Sequence, residues 1–238
     1  MSDSSDPPAQ PPDPATECEF WLFGYGSLIW KPPPHFDRRI PGFVTGYVRR
    51  FWQIAQIAKS PLTPAPSEDH RGTPSAPGRV VTLISRSFWA TLTDPHPSSP
   101  SSKVWGVAYR IPAPKVAEVR AYLDIREING YTIHHTPFHP ADGGAPPINT
   151  LVYIGTPDNE QFVGPQDVQV LAEHIWGCEG PSGLNRDYLL CLDEALDGLS
   201  KESGDGHVKD LAERVRRLEE GVRGGVDGKG VVNEAVGE

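Results

Sequence analysis

Apolar and polar positions alternate in two different ways, and the two ways are segregated along the chain. The run Phe20-Trp21-Leu22-Phe23-Gly24-Tyr25 is apolar and aromatic throughout, which predicts a buried first strand broken by Gly24, Gly26 and Ser27. A second strand region is predicted over 42–51, with 52–57 continuing it. Arg79-Val80-Val81-Thr82-Leu83-Ile84 and Trp105-Gly106-Val107-Ala108-Tyr109-Arg110 read as plain strands. Helical spacing begins at Val116, Val119, Tyr122 and Leu123, behind Pro112 and Pro114, and should end before Asn129-Gly130. Two more strands are predicted over 131–135 and 150–154. After them only helical stripes remain. Val168, Leu171, Ala172, Ile175 and Trp176 mark the first, and Tyr188, Leu189, Leu192, Ala195, Leu196 and Leu199 the second. Val208, Leu211, Ala212, Val215 and Leu218 mark the third. Strands first, one early helix and helices last is an α+β order, without the βαβα alternation of a doubly wound sheet.

The segments between the patterns are rich in proline. Half of the 26 prolines fall in 1–17, 61–77 and 94–102. Proline content therefore describes arms and loops rather than the folded part. Residues 1–18 have almost nothing to bury and are expected to be a disordered arm, as is the glycine-rich tail over 221–238. The remainder, 19–220, is one domain with loop insertions near 55–69 and 94–102. Charge is distributed the same way. Of the net −9, residues 1–19 supply −5 and residues 201–238 supply −2. The middle is close to neutral, so no phosphate-backbone binder and no nucleic-acid partner is expected. No segment approaches roughly 18 uninterrupted apolar residues, so no membrane span is expected. Cys18, Cys178 and Cys191 form neither a disulfide framework nor a zinc pattern, and the acidic N-terminus lacks a secretory leader's character. Both features suit a cytoplasmic protein.

Three runs carry candidate chemistry. In Phe23-Gly24-Tyr25-Gly26-Ser27-Leu28, Gly24 and Gly26 are free to take positive φ and leave the backbone bare. The run is either a strand-end turn or a nest of N–H groups that binds an anion. It lacks the third glycine of a dinucleotide fingerprint and the Gly-Lys-Ser/Thr of a phosphate loop. In Asp124-Ile125-Arg126-Glu127, continuing the stripe from Val119 and Leu123 by four reaches Glu127. There a carboxylate is either a buried general base with a raised pKa or one member of a surface charge cluster. In His134-His135-Thr136-Pro137-Phe138-His139, Pro137 prevents one helix from carrying His135 and His139 together, and neighbouring strand positions face opposite ways. No metal is expected there. Arg49-Arg50 beside Phe51-Trp52 reads as structural or substrate-facing, and Cys178 and Cys191 read as core.

Taken together, the motifs resemble the ChaC-type, glutathione-specific gamma-glutamylcyclotransferases. The resemblance runs through Phe23-Gly24-Tyr25-Gly26-Ser27-Leu28-Ile29-Trp30-Lys31, Arg49-Arg50-Phe51-Trp52-Gln53, His70-Arg71-Gly72-Thr73-Pro74 and Pro77-Gly78-Arg79-Val80-Val81-Thr82-Leu83. It continues through Trp105-Gly106-Val107-Ala108-Tyr109-Arg110, Tyr122-Leu123-Asp124-Ile125-Arg126-Glu127 and Tyr153-Ile154-Gly155-Thr156. Gly180-Pro181-Ser182-Gly183 with Asn185 and Tyr188, then Asp205-Gly206-His207-Val208, complete it over about residues 20 to 218.

The resemblance implies a small closed mixed β-sheet with helices packed outside, and no cofactor. It implies that Phe23, Gly24, Tyr25, Gly26, Ser27 and Leu28 bind the gamma-glutamyl group, with Arg79 and Tyr131 near the pocket. Glu127 follows as general acid/base and glutathione as the small-molecule substrate. A cyclotransferase for other gamma-glutamyl amines and a non-catalytic gamma-glutamyl-binding module are the alternatives. Asn129-Gly130-Tyr131 departs from the family's Gly-Gly-Tyr, and the two insertions set this chain apart.

Overall fold

Apolar runs become strands where they are buried on both faces, and the computed structural model describes them within residues 19–55, 71–96, 102–126 and 131–227. The arm 1–18, most of both insertions, residues 127–130 and the chain after Asp227 lie outside the described residues. The strands are β1 (Phe20–Gly24), β2 (Arg38–Thr45), β3 (Tyr47–Ile54), β4 (Arg79–Ser85), β5 (Lys103–Ile111), β6 (Tyr131–Pro140) and β7 (Ile148–Gly155). A small pair, β8 (Glu179–Gly180) and β9 (Gly183–Leu184), follows later. The helices are α1 (Arg86–Trp89), α2 (Val116–Arg126), α3 (Val168–Gly177), α4 (Asn185–Asp197) and α5 (Gly206–Asp227).

Five strands close into a barrel in the order β1-β5-β2-β6-β7. Its neighbours run antiparallel except β1 and β7, which meet in parallel at Leu22 and Leu151. This is the closed mixed sheet with outer helices that the sequence led us to expect. β3 and β4 pair with each other outside the barrel. Thr82 on β4 ties this pair to the barrel, accepting from the Gly155 N–H and donating to the Gly155 carbonyl, each at 3.0 Å.

The single strand predicted over 42–51 is in fact two, because the chain turns at Gly46, whose φ of +83° favours glycine. The strand predicted over 131–135 extends to Pro140. Pro137 is tolerated because β2 pairs β6 only from Phe138 onward, so the missing N–H breaks no β2 ladder contact.

One continuous apolar core joins the barrel, the β3–β4 pair and the layer of α3, α4 and α5. Val119 and Leu123, the expected inward stripe of α2, are fully buried. Each such buried aliphatic side chain contributes about 1.5–3 kcal/mol. α3 and α5 are capped by acids: Asp167 accepts from the Gln169 and Val170 N–H groups, and Asp205 from those of His207 and Val208. No helix among the described residues is long and apolar enough to cross a membrane.

Candidate active site

β1 ends at Gly24, and the chain passes through Tyr25 and Gly26 into a single 3-10 turn over Ser27–Ile29. Neither Gly24 nor Gly26 has positive φ, so the run does not use the left-handed freedom of its glycines. The glycines are needed for room instead. A Cβ on Gly24 would stand 2.5 Å from the Leu28 Cβ. One on Gly26 would stand 2.9 Å from the Tyr188 hydroxyl and 3.0 Å from the Val81 methyl.

The turn is held from several sides by side chains that grip main chain. The buried Tyr25 hydroxyl donates to the Tyr153 carbonyl on β7 at 2.8 Å. The Tyr109 hydroxyl, from β5, donates to the Leu28 carbonyl at 2.7 Å. Within the turn, the Ile29 and Lys31 N–H groups donate to the Gly26 and Ser27 carbonyls. The Phe23 ring packs inside the core against Phe138 and Tyr25. Tyr188, on α4, closes the other wall, edge-on to Trp30 and Phe51.

α2 reaches this loop through two hydrogen bonds. Tyr25 holds the Tyr153 carbonyl, and the Tyr153 hydroxyl donates to Asp124 in the last turn of α2 at 3.1 Å. Glu127 lies outside the described residues. Its described neighbours along the chain are Arg126, at the end of α2, and Tyr131, at the head of β6 opposite Gly155.

Arg79 opens β4 and shares a face with Val81, the residue that meets Gly26. Its main chain is fixed by Asn185, which accepts from the Arg79 N–H at 2.7 Å and donates to the Arg79 carbonyl at 2.8 Å. The guanidinium donates to the Pro77 and Gly78 carbonyls, its buried Nε has no partner, and it makes no carboxylate pair among the described residues. Burial lowers its pKa. This is an anchored half-buried cation with capacity for one more anion.

Among the described residues, no group of three His, Cys, Asp or Glu side chains is placed to hold a metal. His139 stacks on Phe43, and His134 pairs with Thr132. Cys178 is a buried thiol pushed up by burial. Its neighbour His174 has its Nε2 2.7 Å from the Pro77 carbonyl, so that nitrogen donates there and does not serve as a base for the thiol.

The turn meets β4 at Val81, two residues beyond Arg79, and Thr82 on β4 holds Gly155, which pairs with Tyr131 at the head of β6. The sequence reading assigned no site role to Tyr188, Asn185, Tyr153 or Asp124. Asn185 and Tyr188 were visible as part of the Gly-Pro-Ser-Gly motif, but the helical stripe made Tyr188 look like core alone.

Residues 20–218 match the model of the family described as ChaC-like protein. The chain is 45% identical over 203 residues to the glutathione-specific gamma-glutamylcyclotransferase of Schizosaccharomyces pombe, covering 84% of this chain and 94% of that one. It is 38% identical to the protein of the same name from Saccharomyces cerevisiae, covering 80% and 90%. A crystal structure of a yeast gamma-glutamyl cyclotransferase specific to glutathione superposes with a TM-score of 0.72 at 36% identity, covering 84% of this chain and 97% of that one.

Proposed function

The chain belongs to the ChaC-like family, and on that premise we propose that it is a glutathione-specific gamma-glutamylcyclotransferase, converting glutathione to 5-oxo-L-proline and L-cysteinylglycine. The observation that carries this is the 45% identity spanning 94% of a relative bearing that name. The tightly gripped Tyr25–Leu28 turn supports it, because the reaction asks the protein mainly to fold a substrate arm onto itself.

The gamma-glutamyl α-carboxylate lies at the main chain of Gly26, Ser27 and Leu28, where the chain enters the single 3-10 turn. Arg79 and Tyr131 border the rest of the substrate. Glu127 takes a proton from the substrate ammonium, and the freed amine attacks the gamma-carbonyl carbon. The C–N bond to cysteine breaks as the five-membered lactam closes. The ring nitrogen sheds two protons in all, and these are the two that the departing cysteinyl nitrogen takes up, with Glu127 as carrier. Attack within one molecule needs no water. Well-oriented intramolecular reactions reach effective molarities of about 10⁵–10⁸ M, so positioning alone accounts for much of the rate.

The test is to incubate the purified protein with glutathione and with gamma-glutamyl dipeptides and to measure 5-oxoproline and Cys-Gly. Glutathione should be the preferred source of 5-oxoproline. Glu127→Gln should abolish turnover and keep glutathione binding. Absence of 5-oxoproline from the unmodified protein would refute the activity, preference for dipeptides would refute the restriction to glutathione, and full turnover by Glu127→Gln would refute the base.

A further inference from the structure

One short stretch of β7 holds the Tyr25–Leu28 turn and also the described chain on both sides of Glu127. The ring of Tyr153 is part of the core, and its two polar ends serve different elements. Its carbonyl accepts from the Tyr25 hydroxyl at 2.8 Å. Its hydroxyl donates to Asp124 Oδ1 at 3.1 Å. Asp124 lies in the last turn of α2, three positions before Glu127. Two residues further along β7, Gly155 pairs with Tyr131, four positions after Glu127. Thr82 fixes that glycine through both of its main-chain polar groups. The chain leading to Glu127 and the chain leaving it are therefore tied to one strand at points two residues apart.

We propose that Tyr153 is a positioning residue for the reaction: its carbonyl sets the Tyr25–Leu28 turn, its hydroxyl sets the end of α2, and the ring packed between them fixes how far the turn that takes the substrate lies from the chain that carries the base. The proposal rests on the reading of the site given above, with Glu127 as base. In this role Tyr153 acts through Glu127 rather than on the substrate. The hydroxyl adds nothing to the apolar packing of the ring, which a phenyl group would fill as well. What it adds is direction, through a hydrogen bond to a carboxylate. Ring closure needs ammonium, gamma-carbonyl and base in one geometry, and a misplacement of about 1 Å costs on the order of a hundredfold.

The two ends of Tyr153 can be separated. Tyr153→Phe removes the hydroxyl and keeps both ring and carbonyl, so the turn stays gripped while the end of α2 is released. Asp124→Ala breaks the same hydrogen bond from the other side, at an exposed position. Asp124→Asn keeps an acceptor oxygen for the hydroxyl. A staple that served stability alone would lower the melting temperature and leave the kinetic constants unchanged in assays well below it. A positioning residue instead lowers kcat and leaves glutathione binding as it was, because the turn still holds the substrate.

The experiment uses the full chain and measures steady-state kinetics on glutathione, with calorimetric glutathione binding in the Glu127→Gln background and thermal melts of every variant. Tyr153→Phe should lower kcat about tenfold and change KM by less than about twofold. Its effect on binding in the Glu127→Gln background should be nil. Asp124→Ala should match Tyr153→Phe, the double variant should be no slower than either, and Asp124→Asn should keep most of the activity. Should Tyr153→Phe fail to fold, Asp124→Ala and Asp124→Asn decide. An unchanged kcat in Tyr153→Phe would overturn the proposal, as would a loss carried by KM or single effects that add in the double variant. If the unmodified protein makes no 5-oxoproline from glutathione, or Glu127→Gln turns it over normally, the functional reading falls and this proposal with it. Turnover that is lost in Glu127→Gln and unaltered in Tyr153→Phe removes the proposal alone.

Discussion

His207 is buried and joined to partners that fix its tautomer, so mild acid, below pH 6.5, should destabilise this protein through that group. The Phe51 N–H donates to His207 Nε2 at 3.1 Å, so that nitrogen is bare and Nδ1 carries the hydrogen. Nδ1 lies 2.9 Å from His96 Nδ1, which must then accept, and His96 Nε2 donates to Asp210 at 2.7 Å. A proton added to either ring sets two donors against each other. Burial first, then Arg50, His96 and Arg49, hold the His207 pKa well below its ordinary 6.5. The folded value is depressed, so the sign follows. Above pH 6.5 both states hold a neutral ring and stability is complete. Below it only the unfolded chain takes the proton, and stability falls until the folded value is reached. At 1.36 kcal/mol per pH unit, the 1.5 units between the ordinary 6.5 and pH 5 set an upper bound of about 2 kcal/mol on that loss. The carboxyls of Asp210, Glu19, Asp37 and Glu118 are all held below their ordinary values, so their own losses come at lower pH.

The perturbation is His207→Gln, whose amide oxygen can accept from Phe51 and which does not titrate. Urea unfolding followed by tryptophan fluorescence at pH 7, 6 and 5 gives the slope for each protein. The unmodified protein should lose more stability than the variant between pH 7 and pH 5, by up to about 2 kcal/mol, or up to about 8 °C in Tm for a domain of this size. Parallel curves would refute the reasoning, because they would mean that His207 exchanges its proton as freely when folded as when unfolded.

Two further substitutions probe the site. Gly26→Ala forces a methyl to within 2.9 Å of the Tyr188 hydroxyl and should lower kcat/KM about a hundredfold with a modest change in Tm, read by 5-oxoproline assay and melts; unchanged activity would show that the turn tolerates displacement. Asn185→Ala leaves the Arg79 N–H and carbonyl without their partner and should cost about 2–4 kcal/mol in urea unfolding. A loss below about 0.5 kcal/mol would mean that the two hydrogen bonds are replaced without penalty.

What could be read from the sequence was what short-range pattern records. The continuous apolar run 79–84 and the stripe Val119 to Leu123 were enough to place β4 and the inward face of α2, and both are buried. The Gly-Tyr-Gly-Ser run marked the place where a strand stops and backbone comes close to something else. It did not say what: the glycines suggested positive φ, whereas the close neighbours are Leu28 and Tyr188. Tyr188 is 162 positions away along the chain from Gly26, and nothing in either local run records that they touch. Gly46 was invisible for another reason. Apolar pairs, Phe43-Val44 and Tyr47-Val48, lie on its two sides, so a turn between two strands resembles one long strand. Arg49 and Arg50 are adjacent, and strand alternation says that they face opposite ways, but only the partners supplied by α5 and by Asp94 tell which one is buried without a tight counter-ion.

The polar contacts around the turn share one feature that bears on mechanism. Tyr25 grips the Tyr153 carbonyl, Tyr109 the Leu28 carbonyl, Thr82 both polar groups of Gly155, and Asn185 both polar groups of Arg79. Each is a buried side chain fixing main chain on a different element. Main chain held in this way cannot relax separately from the core, because each grip also anchors a strand or helix that the core packs. A site that activated a water or carried a metal would place its rigidity in the side chains that do chemistry. Here the rigidity is in the backbone of the Tyr25–Leu28 turn, which is where the proposed ring closure needs it. It follows that substitutions at Tyr109 or Thr82, which lie behind the loop, should act on turnover through loop placement, and that their effects should not add independently to that of Gly26→Ala.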